Sequence, residues 1–148
     1  MTVVWTVVLF VHVSAATFWV GGQLMLVFVV MPLLRRNAPP EMIATVARTS
    51  GRRFARISNF ALFPALVVTG PLLAWHDGLR IHSLSSAFGH VLEIKVLIVL
   101  VVLGLAGAHG VAARRFSRRG VRALALLSVA LSVVIVALAA ALAILPAP

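Results

Sequence analysis

A small set of ionisable residues stands inside long apolar runs: His12 in the first, and His90, Glu93, Lys95 and His109 in the third. In hydrocarbon such a group costs about 3 kcal/mol on insertion scales, so it faces a protein interior and marks function. An imidazole at His12 has two uses. It can be a neutral ring hydrogen-bonded to Ser, Thr or a carbonyl, or it can ligate haem iron or copper. Lys95 is the only lysine. Its amine can ligate a metal, hold an anionic group, pair with Glu93 or snorkel to the interface. His109, near the arginines that follow it, reads first as an interfacial histidine. His76, His82 and His90, with Asp77, can collect a metal ion at the outer end, although so loose a spacing equally describes a solvated loop.

Helical spacing groups these residues. His12, Ala16, Trp19 and Gln23 recur at i, i+4, i+7 and i+11 and lie within about 60° of one another on a helix. Phe88, Lys95, Val102, Ala106 and His109 share a face in the same way, and the two stripes are expected to look at each other. His12 and Lys95 fall at a common depth, about 12–14 Å from the outer ends of their runs at about 1.5 Å per residue. At that level the other two runs offer Val67, Thr69, Gly70, Ala137 and Ala140, which leave room for something larger than a side chain. His109 lies about 21 Å beyond Lys95.

The elements that position these residues follow from composition. With 62% hydrophobic and 11% charged residues among 148, the chain is too apolar for a soluble domain, whose charged share is about 25%. Four runs, residues 3–31, 57–75, 87–113 and 121–145, each reach the length of about 20 residues that spans hydrocarbon as a helix. Strands of this number cannot close a barrel, and lipid does not tolerate an open sheet edge. The expected architecture is all-α, a single-domain four-helix transmembrane bundle over 1–148. The first run lacks a basic leading segment and is too long for a cleavable signal, so it is expected to remain. Asn37-Ala38-Pro39-Pro40 ends it. Glu41–Arg53 then reads as an interfacial helical extension running into the second run, which Pro64 and Pro71 are expected to kink. Gly104, Gly107 and Ala108 are expected to admit a close backbone neighbour.

The net charge of +10 is unevenly placed. Arg35, Arg36, Arg48, Arg52, Arg53 and Arg56 lie between the first two runs, and Arg114, Arg115, Arg118, Arg119 and Arg122 between the last two. The remaining loop has Arg80 alone, balanced by Asp77. Basic loops stay cytoplasmic, so both termini are expected outside. Only Phe54 and Phe116 interleave these arginines, which argues against a nucleic-acid partner. Membrane lipid is the expected one. The absence of cysteine removes iron–sulfur clusters, thiolate copper sites and thiol nucleophiles.

The segment from His12-Val13-Ser14-Ala15-Ala16-Thr17-Phe18-Trp19-Val20-Gly21-Gly22 to Pro32-Leu33-Leu34-Arg35-Arg36 resembles the first helix of the CopD-type membrane domain, a superfamily that includes HemJ-like proteins. Arg52-Arg53-Phe54-Ala55-Arg56 with Val67-Val68-Thr69-Gly70 is similar to its second helix. Phe88-Gly89-His90-Val91-Leu92-Glu93-Ile94-Lys95 resembles its third, and the Ala/Leu-rich run ending Leu145-Pro146 its fourth. The resemblance implies a bacterial inner-membrane protein that handles copper or binds haem b. It also implies, by position, roles for His12 and Lys95 in haem binding. This chain departs from the pattern early in the fourth helix, where Arg122, Ala123, Leu124 and Ala125 stand in place of the acidic residue often found there. It also lacks the additional helices of larger CopD proteins.

Three functions follow as expectations: a haem-b redox protein passing electrons in the membrane, a copper-handling protein, or an accessory subunit packed in a larger complex. Haem binding is the first choice, with His12, Lys95, Trp19, His109 and Gln23 around the cofactor. Copper at His12, His90, His76 and His82 is the alternative. A soft-metal path needs a ladder of ligands, yet Met25 and Met31 lie about 220° and 100° round the helix from His12. A redox partner, other membrane subunits or further copies of the chain are the expected associates. The orientation has a direct test. A cysteine at Ser83 should react with a membrane-impermeant thiol reagent in intact cells and one at Ser117 should not; the reverse pattern overturns the orientation.

Overall fold

The structure, a computed structural model, describes residues 2–76, 86–115 and 118–145, with the backbone alone described at 107–115, 118–119 and 121. Every regular element among the described residues is helical. α1 (Val3–Leu24) passes through a π-turn (Met25–Val30) into α2 (Met31–Asn37). After Ala38 and Pro39, α3 (Pro40–Ile57) passes through a second π-turn (Ser58–Leu62) into α4 (Phe63–His76). α5 (Ala87–Arg115) and α6 (Arg118–Ile144) follow. Four stretches are long and apolar enough to cross a membrane: Val3–Asn37, Pro40–His76, Ala87–Ala106 and Arg122–Ile144. Contacts gather the chain into two compact units, Met1–Leu73 and Ala74–Pro148.

Two long helical stretches, which make up the first unit apart from the last turn of the second stretch, run antiparallel, joined at Ala38 and Pro39. They contain 35 and 37 residues, so each is over 50 Å long at about 1.5 Å per residue, against about 30 Å of hydrocarbon. The helices therefore extend past the apolar runs at residues 31 and 57, to the stop expected at Asn37-Ala38-Pro39-Pro40 and through the helical extension expected over Glu41–Arg53. The extension expected to lie along the interface continues into α4 without a break: Ser58 keeps helical dihedrals (φ −60, ψ −48), and α3 packs on α2. Pro39 in extended conformation before Pro40 explains the start, since proline suits the first helical turn and disfavours helix before it.

Each π-turn ends two residues before a proline. Met31 N–H bonds the Leu26 carbonyl, five residues back, and Pro32 follows. Phe63 N–H bonds the Ser58 carbonyl in the same way, and Pro64 follows. Proline has no N–H to give, and its ring collides with the carbonyl four residues earlier. Widening the preceding turn removes the collision while the neighbouring N–H stays bonded. Pro64 thus acts through a π-turn, whereas Pro71 lies inside regular α4.

The two long stretches meet along small residues. A Cβ added at Gly22 would run into the Phe54 ring, so glycine is what lets α1 and α3 touch there. Higher up, Trp19 packs edge-on against Phe63 with ring centroids 5.3 Å apart. In the second unit α5 packs against α6 with Val102 and Ser132 fully buried, and Phe88, Val129 and Ile135 are buried as well. Ser86 caps α5, accepting the Gly89 N–H on its hydroxyl at 3.1 Å. At Gly104 nothing among the described residues lies within 4 Å of a Cβ placed there. The side chains of Gly107, Ala108 and His109 lie outside the described residues.

The exterior is apolar, with Phe10 70%, Phe18 72% and Phe60 83% exposed. Such a surface needs lipid as its solvent. The Gly22–Phe54 contact yields a prediction. Gly22→Val should lower stability in detergent by about 1–3 kcal/mol through overpacking, and Phe54→Ala in the same chain should recover most of it. Additive losses in the double variant, measured by unfolding, would disprove the contact.

Candidate functional site

The first unit's polar cluster is built from α1 and α4. His12 is half-buried on α1, on the face that also buries Ala15 and Trp19. Opposite it stands Thr69, 7% exposed on α4. His12 Nδ1 and Thr69 Oγ1 are 2.8 Å apart, and Thr69 Oγ1 donates to the Ala65 carbonyl at 2.6 Å. A hydroxyl has one proton. Because Thr69 gives it to Ala65, the oxygen accepts from His12, and Nδ1 carries the imidazole proton. The lone pair of the ring then lies on Nε2. A ligating histidine is arranged in this manner, one ring nitrogen donating to a fixed oxygen so that the other is oriented and more basic.

Gly70, next to Thr69, completes the surroundings. A Cβ built on it would stand 3.6 Å from His12 Cε1, an ordinary contact, so the imidazole edge passes close over the α4 backbone. Of the small residues expected at this level, Thr69 and Gly70 face His12, while Val67 is 56% exposed. Trp19, one of the expected cofactor residues, is buried against Phe63 and serves the α1–α4 seam. Gln23 is half-buried at the inner end of the same stripe.

The remaining candidates belong to other parts of the chain. Lys95 is half-buried on α5, in the second unit. His90 is exposed in the first turn of α5, its N–H bonded to the Ser86 carbonyl at 3.0 Å. His76 is exposed in the last turn of α4. His82 and Asp77 lie outside the described residues, as does the His109 side chain. Among the described residues no three His, Cys, Asp or Glu side chains form a metal-sized group.

Two residues escaped the sequence reading. Thr69 appeared there only as a small side chain, although a hydroxyl within an apolar run at the depth of His12 was the available signal. Ser58 opens the second π-turn, which packs against α1. It is 3% exposed, and its Oγ has no hydrogen-bond partner among the described residues. Thr69, Ser50 and Ser132 each donate to the carbonyl four residues back; Ser58 does not.

Fold and site together define an all-helical, multi-pass membrane protein with an imidazole–hydroxyl pair in its first helical pair. Comparison with known proteins adds one relative, from Aquifex aeolicus (strain VF5), described as an uncharacterized protein. It is 37% identical over 93 residues, covering 60% of this chain and 64% of its own length, so the chain spans less than two thirds of that relative. No protein-family profile matches the chain, and no solved structure does.

The hydrogen-bond relay has its own test. Thr69→Val keeps shape but removes the acceptor, so the histidine tautomers should mix and stability fall by about 1–2 kcal/mol, while Thr69→Ser should behave as the parent. Nitrogen NMR of ring-labelled His12 reads the tautomer directly. An unchanged Nδ1–H signal in Thr69→Val would refute the relay.

Proposed function

We propose that this protein is a haem-b-binding redox protein of the bacterial inner membrane, oriented with both termini outside, and that His12 is an axial ligand to the iron. The observation that carries the reading is the chain from His12 Nδ1 through Thr69 Oγ1 to the Ala65 carbonyl. It holds the imidazole by its Nδ1 edge and sets the orientation of the ring. The chemistry of the residues fits the group. An imidazole is a usual haem ligand, and Gly70 keeps bulk away from the ring edge. The resemblance of the His12-to-Gly22 segment to CopD-type and HemJ-like domains supports the same assignment.

Haem held here would supply one-electron exchange, with its potential set by the axial ligand and by burial. The protein's part is to orient His12 through Thr69 and to surround it with apolar side chains of α1 and α4. Nothing in this role requires a bond to be made or broken, so electron transfer between membrane partners is the activity that fits.

The test is an absorption spectrum of the protein purified in detergent, with metal analysis of the same sample. A Soret band with redox-sensitive visible bands is expected in the parent. His12→Ala should remove or strongly shift it in a folded, membrane-inserted protein. A parent without haem sinks the proposal, and stoichiometric copper in its place would favour the copper-handling alternative.

A further inference from the structure

We propose that the groove between α1 and α3 binds one anionic phospholipid, with its phosphate on Arg53, its glycerol region against Met25 and Leu26, and its acyl chains leaving into the bilayer past Gly22 and Ile57. The groove is shallow and open along the helix surface, holds about 350 Å³ and is lined chiefly by apolar side chains, with Ser50 and Arg53 as the polar exceptions. It owes its shape to features already described. Gly22 brings α1 onto Phe54. The first π-turn supplies Met25 and Leu26, and Ile57 ends α3 just before the second. Ser50, Arg53, Phe54 and Ile57 stand at i, i+3, i+4 and i+7, one face of α3, so the cation and the apolar floor belong to a single surface.

Depth identifies the occupant. Val3 to Gly22, and Ile57 to His76, each cover about 28 Å at about 1.5 Å per residue. That is nearly the whole hydrocarbon thickness of about 30 Å. The groove therefore lies where acyl chains end and headgroups begin, on the side that the arginine distribution makes cytoplasmic. A guanidinium matches phosphate with paired hydrogen bonds. Arg52, Arg53 and Arg56 cluster within the last two turns of α3, and all three are exposed. No acidic residue lines the groove. Glu41, the acidic residue of this unit, lies at the far end of α3, about 18 Å from Arg53 along the helix. The surface thus has a positive rim over an apolar slot, and an anionic lipid complements both parts at once. A zwitterionic lipid matches only the slot, and inorganic phosphate only the rim.

The full-length protein, delipidated in detergent, is titrated with phosphatidylglycerol, with phosphatidylcholine of the same acyl chains, or with inorganic phosphate, and retained lipid is counted by native mass spectrometry. Phosphatidylglycerol should be retained preferentially. Arg53→Gln should weaken it about fivefold, the contribution expected of one arginine at a lipid surface. Arg36→Gln, in the last turn of α2 and away from the groove, should match the parent. Ser50→Phe, which fills the slot, should reduce retention of both lipids. Circular dichroism and gel filtration confirm folding; if Ser50→Phe misfolds, the Arg53→Gln comparison decides. Equal retention of the two lipids, or Arg53→Gln indistinguishable from Arg36→Gln, overturns the proposal. So does displacement of the lipid by inorganic phosphate, or a dimer in which a second copy fills the groove. The result is independent of haem content, so neither proposal's failure touches the other.

Discussion

A peptide group in hydrocarbon has no water to bond, and one left unpaired there costs several kcal/mol. This chain satisfies that demand up to His76 with two helical stretches of 35 and 37 residues, interrupted only at Ala38 and Pro39. The prolines show how strict the demand is. At Pro32 and Pro64 the helix does not open; it widens by one residue beforehand, and Met31 and Phe63 bond carbonyls five back. The π-turns are the form a continuous helix takes when a donor is missing and a carbonyl must be avoided. They also set the groove beside Gly22 and the placement of Ser58.

Side-chain polar groups follow the same rule at shorter range. Thr69, Ser50 and Ser132 return their protons to the carbonyl one turn earlier. For Thr69 this has a chemical consequence, because a hydroxyl that has spent its proton can only accept. The proton of the His12 ring is thereby directed to Nδ1, through a bond whose own partner is the α4 backbone. Local helix chemistry in α4 thus decides the state of a side chain on α1.

Much of this was legible from residue types. Four apolar runs, the break at Asn37-Ala38-Pro39-Pro40 and the arginine asymmetry come straight from hydropathy and charge, because lipid leaves few alternatives for a segment that long and that apolar. The stripe of His12, Ala16, Trp19 and Gln23 was visible as a periodicity; of it α1 fully buries Trp19, against Phe63, while His12, Ala16 and Gln23 are half-buried. Less legible was the packing. Residues 31–37 and 41–53 lie outside the apolar runs, and although helix was expected there, that α2 and α3 pack on each other was not. Gly104 shows that small residues permit close approach without compelling it: among the described residues nothing lies within 4 Å of an added Cβ there.

Composition and periodicity therefore determined the solvent, the helix number and the identity of the few polar residues able to do chemistry, because each is a property of one segment and its environment. Which polar residues meet was decided only by packing. His12 and Thr69 are 57 positions apart, and whether Thr69 or Val67 turns toward α1 depends on the rotation of α4. That rotation follows from the extra residue accommodated before Pro64 and from the approach that Gly22 allows. A segment read alone carries its face but not its phase against a neighbour, and a shift of one residue, about 100° on a helix, separates a bonded imidazole from one facing lipid.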